Sequence, residues 1–202
     1  MFRKMLFIAL TLFLSISTAR AAVVWEWDGT TLSGAGNVDV NGTLYDVKFM
    51  DGSCVSLFTD CDSADDDFAF TTPGDAGDAA QALLDQVLLN PPFNPLGQGF
   101  DFIPGLTAGC SFSSIFCTIF IPHTIPIGGV GLVALAGAEN SPLDPDNTVT
   151  GDRSINLDLG DVDDEVYAIF TKTAVVPIPA AFWLFGTVLL GLVGFSKRRK
   201  AA

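Results

Sequence analysis

Val38-Asp39-Val40-Asn41-Gly42-Thr43-Leu44-Tyr45-Asp46-Val47-Lys48-Phe49 decides the fold class. Val38 and Val40 alternate with Asp39 before the Asn41-Gly42 pair. Tyr45, Val47 and Phe49 alternate with Asp46 and Lys48 after it. Apolar residues at every second position mark half-buried strands, because successive side chains point to opposite faces. Asn-Gly between two such runs is a two-residue turn signal, because both residues tolerate the positive φ that the turn requires. A hairpin across residues 35–50 follows.

Working outward, Val23-Val24-Trp25-Glu26-Trp27-Asp28 reads as another half-buried strand, whereas Thr31-Leu32-Ser33-Gly34 is less regular. Phe68-Ala69-Phe70-Thr71 reads as a short strand. A helix is expected at about 78–89, where Ala80, Leu83, Leu84, Val87 and Leu88 recur at helical spacing. Asp75 or Asp78 is placed to cap its start, and Asn90-Pro91-Pro92 stops it. After a loop rich in proline and glycine (91–109), strands are expected at 112–121, 130–135 and 166–171. The class is therefore mostly β, α+β: an antiparallel sheet with one packed helix, or a sandwich.

The chain has 202 residues, 49% of them hydrophobic, with a mean hydropathy of +0.44. Apolar content that high excludes disorder throughout. The net charge is −13, so a nucleic-acid partner is not expected, since that requires a basic face. All 23 acids fall within residues 22–176, where Lys48, Arg153 and Lys172 are the only bases. The formal balance of that stretch is −20. Such a charge favours solubility and points to cations as partners.

The cysteines form two equal modules. Six residues separate Cys54 from Cys61, and six separate Cys110 from Cys117. Two local disulfides, Cys54–Cys61 and Cys110–Cys117, are favoured among the three possible pairings, because short loops close readily. The alternative, a four-thiolate zinc site, suits neither the spacing nor an oxidising compartment. The acids cluster at Asp60, Asp62, Asp65, Asp66 and Asp67, at Asp144, Asp146 and Asp152, and at Asp158, Asp161, Asp163, Asp164 and Glu165. Oxygen ligands suit calcium, with Asp60, Asp62, Asp65, Asp161 and Asp163 as candidates. None fits the EF-hand loop: counted from Asp60, the position that needs glycine holds Asp65. Solvated surface is the competing reading of such runs. Calcium is thus the one cofactor left open.

Both ends carry processing signals. Arg3 and Lys4 precede an uncharged run at 5–16, and Ala19 and Ala21 supply the small residues that signal peptidase requires. Residues 1–21 read as a secretory signal peptide, cut after Ala21 or one residue later. Twelve apolar residues are too few to span roughly 30 Å of hydrocarbon. At the other end, 174–195 contains no charge over 22 positions, about 33 Å as a helix. A C-terminal transmembrane helix is expected there. Lys197, Arg198, Arg199 and Lys200 follow and belong on the cytoplasmic side, leaving 22–173 outside as an acidic exported domain. Val176-Pro177-Ile178-Pro179-Ala180, just before the span, is expected to be extended, because proline disfavours helix in the residue before it.

Pro177-Ile178-Pro179-Ala180-Ala181, the span punctuated by Gly186, Gly191 and Gly194, and the basic tail resemble a PEP-CTERM sorting signal of the VPLPA-type proteobacterial variant. The resemblance covers about 25 residues within 174–202, with motif, span and tail in the family's order. Ile178 stands where the founding motif has glutamate. The resemblance implies that an exosortase-like membrane peptidase recognises the motif and removes the anchor. It also implies association with exopolysaccharide, biofilm and the cell surface.

Enzymatic motifs are lacking: there is no G-x-S-x-G, no phosphate-cradling glycine loop and no metal-ligand spacing. His123, the one histidine, follows a strand without a nucleophile motif nearby and reads as a loop residue. Paired carboxylates suit a glycosidase, but so many acids make some pair inevitable. The expectation is a non-enzymatic exported surface or matrix protein. A calcium-assisted polysaccharide-binding module and a permanently anchored single-span protein are the alternatives.

Overall fold

The computed structural model describes residues 21–59, 61–89, 99–126, 131–142 and 145–174. The Asn41-Gly42 turn joins β2 (Thr31–Val40) to β3 (Thr43–Met50), and β1 (Val24–Asp28) pairs with the first half of β2. Both turn residues have positive φ, 52° and 84°, as a hairpin turn matched to strand twist requires. Asp39 Oδ1 accepts from the Gly42 N–H at 2.6 Å, which closes the turn.

The irregularity of 31–36 has a structural cause. β2 carries two extra residues against its neighbours, one between the Trp27–Leu32 and Glu26–Gly34 pairs and one between the Ala35–Val47 and Val38–Tyr45 pairs. An extra residue inverts the parity of the side chains beyond it. Leu32, Ala35 and Val38 therefore all reach one core despite their uneven spacing.

The remaining strands are β4 (Cys117–Thr124), β5 (Leu132–Asn140), β6 (Asn147–Ser154) and β7 (Glu165–Lys172). One seven-stranded sheet runs β1-β2-β3-β7-β4-β5-β6. Its neighbours are antiparallel except β4 and β7, which run parallel over Thr118–Glu165, Ile119–Val166 and Phe120–Tyr167. The described residues thus form a mixed sheet rather than a sandwich.

Among the described residues three α-helices decorate it: α1 (Cys54–Leu57), α2 (Ala64–Asp67) and α3 (Pro73–Gln86). The helix expected at about 78–89 begins five residues earlier and ends at Gln86. Thr72, not Asp75 or Asp78, is its N-cap, its hydroxyl accepting from the Asp75 N–H at 3.1 Å. Pro73 suits the first turn, where a missing N–H leaves no hydrogen bond unmade. The end is fixed where the Val87 and Leu88 N–H groups both donate to the Leu83 carbonyl.

α3 covers one face of the sheet through Ala76, Ala79, Ala80, Leu83 and Leu84. Each leucine so buried contributes roughly 1.5–3 kcal/mol, and the alanines let the helix approach closely. The other face of β4, β5 and β7 is covered by the disulfide-linked segment. There Cys54, Cys61 and Phe68 meet Phe120, Leu135, Leu159 and Tyr167.

Phe68-Ala69-Phe70-Thr71 is not a strand. Phe68 packs edge-on to Phe58 in one core, while Phe70 lies 5.2 Å from the Tyr45 ring in the other. The segment crosses between faces where β4 and β7 cease to pair, beside Ile121 and Ile169. Likewise 112–116 is not strand but lies within the Cys110–Cys117 loop. Among the described residues no helix is long and apolar enough to cross a membrane. The run expected to do so lies, except for Ala174, outside them.

Candidate functional site

The four cysteines pair as expected. Cys54–Cys61 ties α1 to the approach of α2, with Cα atoms 5.7 Å apart, and Cys110–Cys117 anchors the start of β4, with Cα atoms 5.9 Å apart. The latter loop exposes Phe112 (71%) and Ile115 (61%) and is pinned by the Asp163 carbonyl, which accepts from Ser111 N–H and Ser114 Oγ–H.

The four described candidate calcium ligands, Asp62, Asp65, Asp161 and Asp163, do not gather three at one metal position. All four are exposed, and among the described residues no three His, Cys, Asp or Glu side chains converge on a metal position. Asp60 and Asp144 lie outside the described residues. Several acids instead cap backbone: Asp67 Oδ2 accepts from the Asp62 and Ser63 N–H groups, Asp158 Oδ1 from Gly160, and Asp146 Oδ1 from Ser141. Capping gives these carboxylates a local partner and fixes their loops. The sorting-motif residues Val176, Pro177, Ile178, Pro179 and Ala180, the tail Lys197, Arg198, Arg199 and Lys200, and Ala19 also lie outside the described residues. Ala21 is exposed ahead of β1.

His123 is buried in β4, its Nδ1 2.8 Å from Thr124 Oγ1, not in a loop. Burial lowers its pKa, outweighing the opposite pull of Asp152, so it is neutral at pH 7. Trp25 and Trp27 are packing residues: Trp25 Nε1 donates to the Val87 carbonyl at 2.9 Å, and the Trp27 ring lies 5.1 Å from Phe100. Arg153 pairs with Glu165 through two nitrogens and lies 4.8 Å above the Phe120 ring. Next to it, Tyr167 is fully buried and its hydroxyl has no hydrogen-bond partner among the described residues. Burial pushes the Tyr167 phenol up to about 12.

A polar cleft of about 230 Å³ opens where the β2–β3 turn meets the first turn of α3. Asn41, Thr43 and Tyr45 come from the hairpin, and Thr71 and Asp75 from the entry to the helix, over Val40, Ala69 and Phe70. Tyr45 is 6% exposed, its ring 5.2 Å from Phe70 and 5.9 Å from Phe170. Its hydroxyl makes no hydrogen bond among the described residues. Burial, then the nearby Asp75 carboxylate, raises the Tyr45 pKa, so the phenol keeps its proton. Asp75 accepts from Thr72 Oγ1 at 2.8 Å, and Asp78 accepts from Asn41 Nδ2 at 2.8 Å. Sequence reading placed Tyr45 in the core and Asp75 as a possible cap. No local pattern signals that residues thirty apart share a cleft.

No family model, curated protein or solved structure matches the chain.

Proposed function

We propose that the chain is a non-enzymatic, exported surface or matrix protein that carries a PEP-CTERM-like sorting signal at 174–202. The general secretory route removes residues 1–21. The apolar run to 195 crosses the inner membrane with Lys197, Arg198, Arg199 and Lys200 inside, and an exosortase-like peptidase cuts near Val176–Ala180. The domain is then released to the surface or matrix, where exopolysaccharide is its partner. What carries this reading on the structural side is the pairing of Cys54 with Cys61 and Cys110 with Cys117, with no free cysteine among the described residues. Structural disulfides belong to oxidising compartments.

The sequence supplies the rest. Motif, span and basic tail stand in order within 29 residues, and the acidic stretch precedes them. The test is intact-mass and C-terminal peptide analysis of the protein from its host, in membrane and released fractions. Loss of everything beyond the Val176–Ala180 region is expected. Replacing both Pro177 and Pro179 with alanine is expected to block that cut while export continues. A tail ending at Ala202 and confined to the membrane would instead make this a permanently anchored single-span protein.

A further inference from the structure

We infer that the cleft between the β2–β3 turn and the start of α3 binds one ring of an uncharged sugar chain. The central observation is Tyr45. Its ring is clamped by Phe70 and Phe170, yet its hydroxyl at the cleft has no partner among the described residues. A phenol whose ring is held by packing while its hydroxyl opens to the cleft presents a donor in a fixed place, so little ordering entropy is lost on binding.

The surrounding groups suit hydroxyls rather than other ligands. Asp75 accepts, Thr43 and Thr71 donate or accept, and Asn41 supplies an amide. A sugar hydroxyl both donates and accepts, so it matches the remaining capacity of these groups beside the bonds Asp75 already makes to Thr72 and Asn41 to Asp78. An anionic ligand faces Asp75 and Asp78 on a stretch with a balance of −20, which disfavours it. A bare cation lacks a third carboxylate among the described residues. The volume, about 230 Å³, lies below the roughly 300–1,000 Å³ of drug-sized pockets and suits a single ring with its neighbours outside.

This inference rests on the proposed surface role only for the source of the glycan, since the cleft chemistry stands apart from the tail. The test is calorimetric titration of the full chain, purified in detergent. The probes are cellohexaose, laminarihexaose, mannohexaose and N-acetylchitohexaose, with polygalacturonate as the anionic comparison. One neutral oligosaccharide is expected to bind. Tyr45→Phe and Asp75→Asn, which keep ring and shape, are each expected to weaken it about tenfold, as loss of one hydrogen bond to a preorganised group does. Phe112→Ala, at the opposite end of the sheet, is expected to change nothing. Thermal melts of the variants exclude misfolding as the cause. The inference is overturned if no neutral probe binds, if both cleft variants bind as the parent does, or if polygalacturonate binds best. C-terminal mass analysis judges the sorting proposal separately, so either can fail alone.

Discussion

Tyr167 shows how a single buried hydroxyl sets a pH dependence. It sits beside Arg153 and Phe120 with its oxygen unpartnered among the described residues, and its pKa is pushed up to about 12 by burial. The folded-state value lies above the unfolded value of 10.0, so its contribution to stability is complete below pH 10 and is lost as pH rises toward 12. The loss is about 2–3 kcal/mol for this group. Urea denaturation between pH 8 and pH 12 is expected to show that decline, and Tyr167→Phe to reduce it. At pH 7 the same variant is expected to gain about 1 kcal/mol, because the unpaired buried oxygen is removed while the ring remains. Equal or lower stability of Tyr167→Phe at pH 7 would show that the hydroxyl is satisfied in solution.

Among the elements, α3 depends on its first turn. Thr72 caps it and Pro73 starts it, so Thr72→Ala is expected to cost about 1 kcal/mol in urea denaturation. Asp78→Ala is expected to cost less, since Asp78 lies inside the helix rather than at its cap. The comparison separates the observed start from one at 78. This boundary was misread because the apolar periodicity begins at Ala76 with small residues, and Gly74 and Gly77 look like breakers. The β2–β3 hairpin was legible because its turn and its period agree. β6 was not, since Asn147–Ser154 carries Val149 as its only large apolar side chain and pairs by backbone with β5 alone. Phe68 and Phe70 misled for a physical reason: alternation within one strand implies a shared face, but here they serve two cores.

At the scale of the whole molecule, sequence reading reached the mostly β class and the packed helix but not the mixed sheet. The run Cys117–His123 is buried on every side, which marks a strand covered on both faces. That burial depends on the Cys54–Cys61 segment folding over the second face, a long-range arrangement with no local signature. The cleft was hidden for the same reason, because it joins the hairpin turn to a helix start more than thirty residues away. The charge was fully legible. A balance of −20 over residues 22–176 repels itself, so raising sodium chloride from 20 to 500 mM is expected to raise the melting temperature. Calcium and magnesium at matched ionic strength then separate screening from coordination, and a gain specific to calcium would mark a bound ion. A melting temperature that falls with salt would mean that attraction, as between Arg153 and Glu165, outweighs repulsion.

The place of β7 in the sheet has a mechanical consequence. It is the fourth of seven strands, held by β3 on one side through six residue pairs and by β4 on the other. Beyond it the Thr173 N–H still donates to the Leu44 carbonyl. A force applied to the chain past Thr173 therefore enters along the axis of an interior strand. Pulled that way, the β3–β7 ladder is sheared and its hydrogen bonds share the load, whereas an edge strand would peel away one bond at a time. A load delivered along β7 would therefore be met by many hydrogen bonds at once.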